Sequence, residues 1–133
     1  MNIVVDTNVI ISAIFFGGLP RKFIEYFFKG DFAVFASPTI IREYIKTYRE
    51  IYRKYESKGN PAVLHQIIAK MNIVLPQYEI SICRDHDDDK FISCALQAGC
   101  LYIVSGDKDL LSLKKVENVE MVTIAKFLKK LNR

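Results

Sequence analysis

The fold this sequence predicts is a single three-layer α/β/α domain on a mostly parallel central sheet. Three observations carry it. Short apolar runs recur with helix-length patterns between them, which marks alternating strand and helix rather than a sandwich or a bundle. Strand–helix–strand units of that kind cross over right-handedly, so the sheet is parallel and covered on both faces. The chain has 133 residues, half of them hydrophobic, enough for one core with no room for a second domain.

The elements follow in order. Ile3-Asp6 reads as the first strand; with no basic flank before it and no small-residue cleavage site, MNIVVDTNV does not read as a secretory signal. Helical patterns run from Thr7 to about Phe15 and from Pro20 to Lys29, then Phe32-Ala36 is a strand. A long helix from Pro38 to about Glu56 meets the turn Ser57-Lys58-Gly59-Asn60, and another helix spans Pro61 to Met71. Pro20, Pro38 and Pro61 each open a helix, where a missing N–H is no loss. The weaker stretch Ile73-Ile82 contains Pro76 and reads as an edge strand or a connection. A helix from Asp87 to Ala98 ends at Gly99, a suitable C-terminal cap. Leu101-Ser105 and Glu120-Val122 are the remaining strands, and a helix from Thr123 closes the chain.

Composition excludes several classes. No run approaches the ~20 apolar residues of a membrane-spanning helix. Cys83, Cys94 and Cys100 form no Cys-x-x-Cys pair, which argues against a disulfide framework and a zinc site and implies a reducing cytoplasm. A net charge of +4 allows an anionic partner without demanding one.

In open parallel sheets ligands bind beyond the carboxyl ends of the strands. Asp6 ends the first strand, Asp107 follows the strand that ends at Ser105, and Glu43 lies five residues into the long helix, about 7 Å along its axis. Asp85, Asp87, Asp88 and Asp89 crowd the start of a further helix. Capping accounts for one or two of these. The others repel one another, at a cost on the order of 4 kcal/mol for a pair ~4 Å apart at an effective dielectric near 20. A divalent cation removes that cost, and carboxylates without paired histidines or thiolates favour Mg²⁺ or Mn²⁺. No Ser-His-Asp or Cys-His arrangement and no glycine-rich phosphate loop competes. Hydrolysis of a phosphodiester by metal-activated water is the economical reading.

The runs IVVDTNVI, SPTIIREY, DDDKFISCALQAG and YIVSGDKDLL, in that order along nearly the whole chain, resemble the PIN-domain ribonucleases. The resemblance is strongest to prokaryotic members taken as toxins of toxin–antitoxin pairs, relatives of the VapC-like toxins. It implies metal ligands at Asp6, Glu43, Asp89 and Asp107, with Asp88 competing with Asp89 for the third place. It also implies a neighbour at Thr7 or Asn8 that orients Asp6, and a supporting hydroxyl at Ser105. His86 stands where proline is common in such sequences. An endoribonuclease with a cognate antitoxin, commonly a homodimer, follows from the resemblance; the alternative is a PIN-like module that binds nucleic acid or protein without turnover.

Residues outside the acidic set divide by face. Ile41, Tyr44, Ile45, Tyr48, Tyr52 and Tyr55 recur at helical spacing and form a buried or partner-facing stripe. Arg42, Lys46, Arg49 and Arg53 share another face, either a solvated basic surface or, starting beside Glu43, a track that suits RNA phosphates; Lys90 and Lys108 lie nearer the proposed metal and could offset substrate charge. Asp85 and Asp87 are expected to cap, Asp109 to cap or begin a short helix, and His65 to be structural.

Overall fold

A computed structural model describes residues 1–55, 58–78 and 80–132, and the statements that follow refer to these. Glu56 and Ser57, expected at the end of the long helix and the start of the turn, lie outside them, as do Glu79 in the weak extended stretch and Arg133 at the end of the last helix.

Six strands form the sheet: β1 (Asn2–Val5), β2 (Ala33–Ala36), β3 (Asn72–Ile73), β4 (Tyr102–Val104), β5 (Lys115–Val116) and β6 (Val119–Val122). Their order is β3-β2-β1-β4-β6-β5. Every neighbouring pair is parallel except the β5–β6 hairpin. At the centre, Ile3 stands beside Val34 on one side and Tyr102 on the other. Ile3, Val4 and Val5 have no exposed surface, as a parallel strand covered on both faces requires.

Helices α1 (Thr7–Phe15), α2 (Gly18–Phe28), α3 (Pro38–Tyr55), α4 (Pro61–Lys70), α5 (Asp89–Ala98), α6 (Lys108–Ser112) and α7 (Ile124–Leu131) flank the sheet. α5 packs along β1, β2, β4 and β6, while α2 packs against both α1 and α7. Phe23 of α2, Phe32 just before β2 and Phe127 of α7 pack together, with ring centroids 4.9–5.6 Å apart. Burial of three such rings is one of the larger single contributions to the core. The helix ends follow local chemistry: Asn60 caps α4, Thr123 caps α7, and Gly99 takes the left-handed conformation (φ 68°) after α5.

Three elements differ from expectation by two residues or more, and one strand is new. α2 begins at Gly18, two residues before Pro20, because Gly17 and Gly18 adopt positive φ and let the chain turn early. Of the stretch Ile73-Ile82 only its first residue pairs, in an edge strand, and Pro76 falls in the connection beyond it. The acidic segment opens as a 3-10 turn (His86–Asp88), and α5 starts after it. β5 was not foreseen: its flanking positive-φ residues are Lys114 and Glu117, so no glycine announces the hairpin. No helix among the described residues is long and apolar enough to cross a membrane.

Candidate metal centre

The strand order reverses between β1 and β4. From β1 the chain runs outward through β2 and β3, then returns to the other side of β1 as β4. A crevice opens beyond the strand ends at such a reversal. Asp6 leaves β1 there, and Ser105-Gly106-Asp107 leaves β4 beside it; the Asp6 N–H donates to the Val104 carbonyl at 2.9 Å. Asp6 is buried, and its Oδ2 accepts from the Ser105 hydroxyl at 2.7 Å. The same Ser105 oxygen accepts the Asp107 N–H at 2.9 Å, so one serine fixes both strand exits. Burial raises the Asp6 carboxyl above its ordinary range; the Ser105 hydrogen bond opposes the shift, and the charges of Asp107 and Glu43 add to it. Asp107 also caps α6 by accepting the Asp109 N–H at 3.1 Å, so Asp109 lies in the first turn of that helix and does not cap it.

Glu43 comes from α3, and its neighbour places it. Tyr44 is wholly buried and its hydroxyl donates to the Val5 carbonyl at 2.5 Å, pinning the first turns of α3 to the end of β1. Burial, and then the Asp6 charge, push the Tyr44 phenol well above its ordinary value, so it stays a donor. Glu43 is engaged on both oxygens: the Thr7 hydroxyl donates to one, and the Lys90 ammonium sits 2.7 Å from the other. Thr7 therefore orients Glu43, and Ser105 orients Asp6. Asn8 is exposed.

At the third acid the geometry departs from the sequence reading. Asp89 is buried, and its Oδ1 accepts from the Ile82 and Cys83 N–H groups at 3.0 and 2.6 Å. Its Oδ2 is 3.1 Å from His86 Nδ1. Burial alone would raise this carboxyl, but those hydrogen bonds hold it down at about 2. Asp89 thus braces the connection after β3. Asp88, half-buried one residue earlier, carries the opposite signature. Its carboxyl is pushed up to about 7, by burial first, then by the charge of Asp107 and a hydrogen bond to it, then by Asp6 and Asp85. The 3-10 turn causes the exchange of places. Successive residues at a helix start point ~100° apart, so adjacent acids cannot share one direction.

The other candidates fall where their chemistry puts them. Asp85 caps the 3-10 turn by accepting the Asp87 N–H at 3.0 Å. His86 is exposed and belongs to the Asp89 brace. Arg42, Lys46, Arg49 and Arg53 line the exposed side of α3, Lys108 is exposed at the start of α6, and His65 is exposed on α4. The Lys90–Glu43 pair and the Tyr44 hydroxyl are the parts that sequence reasoning missed. A lysine after an acidic run and a tyrosine in an apolar stripe signal no particular partner.

The donor set suits a hard cation. Asp6, Glu43, Asp88 and Asp107 offer only oxygens, Cys83, Cys94 and Cys100 are buried thiols, and His86 is committed to Asp89. Among the described residues no group of three or more His, Cys, Asp or Glu side chains is arranged so that it could hold a metal ion. Mg²⁺ needs no such group, because it keeps several waters and takes one or two carboxylates. Burial first, and then the neighbouring carboxylate charges, raise the carboxyls of Asp6 and Asp88.

A family model for the PIN domain matches residues 2–109. The chain is also similar to the uncharacterized protein MJ1680 of Methanocaldococcus jannaschii, at 33% identity over an alignment covering 91% of this chain and 84% of that protein. The span matched by the family model runs from β1 into α6 and holds Asp6, Glu43, Asp88 and Asp107.

Proposed function

The chain belongs to the PIN-domain family, a nuclease fold, and on that premise we propose that it is a divalent-metal-dependent endoribonuclease whose centre is Asp6, Glu43, Asp88 and Asp107. One observation supports this reading most: carboxylates from β1, α3, the turn before α5 and the exit of β4 meet at the reversal of the sheet, with the repulsion at Asp6 and Asp88 unrelieved. Such a gathering weakens the fold and is retained where the site is used. Mg²⁺ or Mn²⁺ held by these acids would supply a Lewis acid for the phosphoryl oxygen and a lowered pKa for the attacking water.

The chain's own residues do the positioning. Ser105 holds Asp6 and the Asp107 loop in register, so two of the four acids are set before any ligand arrives. Tyr44 fixes the depth of α3 and hence the reach of Glu43. Lys90 and Thr7 satisfy Glu43. Arg42, Lys46, Arg49 and Arg53 extend from Glu43 as a cationic track for a phosphate backbone, so RNA affinity should fall steeply with salt. The same reading extends to a toxin role with a cognate antitoxin, or to a homodimer, for which a small apolar patch would offer a contact. There Phe16 packs edge-on against Tyr55 at 5.3 Å, and both rings stay exposed.

The test is cleavage of single-stranded RNA by purified protein with Mg²⁺, with Mn²⁺ and with chelator, for wild type and Asp6→Asn. Cleavage that needs the metal and is lost in the variant is the expected result. RNA bound equally by both proteins, with no turnover under any condition, would instead make the chain a PIN-like binding module.

A further inference from the structure

Next to the acidic centre a cleft of about 710 Å³ opens between the start of α3, the connection after β3 and α5. We propose that this cleft binds an unpaired nucleoside of the RNA, the one adjoining the phosphate held at the acids; the inference rests on the ribonuclease reading above.

Continuity with the centre is the first reason. Lys90 forms part of the cleft wall, and its ammonium lies 2.7 Å from Glu43, so one side chain is common to both sites. A strand with a phosphate at the acids therefore has its neighbouring sugar and base at the mouth of the cleft. The wall chemistry is the second. Tyr78, 55% exposed, lines the cleft with Ile80, and an exposed aromatic ring is the platform on which unpaired bases stack. Thr39 and Ser81 add hydroxyls that donate to or accept from base edges.

Charge is the third reason. Asp89 is the one carboxylate among the described lining residues, and it is committed to Ile82, Cys83 and His86. The described wall residues offer no spare negative charge against a phosphate. Position is the fourth: the Ser93 hydroxyl and the Gln97 amide on α5 donate to the Tyr78 carbonyl at 3.1 and 3.0 Å, so the platform is tied to a helix. Preorganisation of that kind lowers the ordering cost of binding. The volume lies within the ~300–1,000 Å³ usual for small-ligand sites.

The test uses the full chain and a fluorescent random-sequence single-stranded RNA of eight nucleotides. Affinity is read in chelator, and the cut pattern on a random RNA pool is read with Mn²⁺, for wild type, Tyr78→Ala, Tyr78→Phe and the control Phe28→Ala, an exposed ring on α2 that is not part of the cleft wall. Stacking in the cleft predicts that Tyr78→Ala binds about 5- to 100-fold more weakly and cuts with an altered base preference, while the other two variants match wild type. Tyr78→Ala with unchanged affinity and unchanged pattern, beside active wild type, overturns the cleft and leaves the ribonuclease reading standing. Tyr78-dependent binding by a wild type that cuts nothing does the reverse. Thermal melting of each variant checks that the exposed position has not disturbed the fold.

Discussion

The acidic centre and the brace around Asp89 are one peptide bond apart and treat the same side chain in opposite ways. In the brace, two backbone N–H groups and a histidine surround one carboxylate, and its proton affinity falls to about 2. In the centre, Asp88 meets Asp107 and Asp6, and its carboxyl rises to about 7. Burial pushes both upward; the difference lies in what each faces. A carboxylate saturated by donors gains nothing from a cation, whereas one left among its own kind would be stabilised by one.

Substitution separates the two regions most sharply through activity. Asp88→Asn should lower metal-dependent RNA cleavage by at least about 100-fold, the scale of losing one charged group of a preorganised site. Its metal-free melting temperature should hold or rise, because a repulsive charge is gone. Asp89→Ala should do the contrary. It leaves the Ile82 and Cys83 N–H groups without their acceptor and should cost about 2–4 kcal/mol, read as a fall of roughly 10 °C in melting temperature. Cleavage should then decline chiefly through the unfolded fraction.

Smaller effects sharpen the contrast. Ser105→Ala removes the hydroxyl shared by Asp6 and Asp107, and a cost of about 1–2 kcal/mol in urea unfolding is expected, with a cleavage loss of about tenfold. Glu120, on β6, shows how little a half-buried carboxylate paired with lysines matters. The Lys126 hydrogen bond, and then the Lys130 charge, hold its carboxyl below the usual glutamate range. A lowered folded value means the pair stabilises the fold above the unfolded pKa near 4.5 and loses that contribution as pH falls through the lowered value. Lys126→Ala should cost under about 1 kcal/mol at neutral pH, and the difference from wild type should vanish in acid denaturation curves.

Much of this architecture was readable in the sequence, for definable reasons. β1, β2, β4 and β6 are short apolar runs between helical patterns, and Pro38 and Pro61 open α3 and α4 where expected. Asp6, Glu43 and Asp107 could be placed because each follows a strand at short range, and the edge rule for parallel sheets then brings them together. Asp88 and Asp89 could not be ranked. Their roles depend on helical phase, which the 3-10 turn resets, and on N–H groups presented by the irregular backbone after β3. The Tyr44 anchor and the Lys90–Glu43 pair join residues distant in sequence, and no local pattern reports such a pairing. The β5 edge was missed because its turn, Glu117-Asn118, has no glycine and places Glu117, not Asn118, at positive φ.

The measurement that bears most directly on the contrast between centre and brace is a thermal-shift titration with Mn²⁺ and Mg²⁺ of wild type, Asp88→Asn and Asp89→Asn, each read against its own metal-free midpoint. A cation bound only by the folded state raises that midpoint with concentration. The predicted result is a rise in wild type and in Asp89→Asn, however low the latter starts, with little or none in Asp88→Asn. A rise kept by Asp88→Asn and lost by Asp89→Asn would move the site to the brace and contradict the assignment.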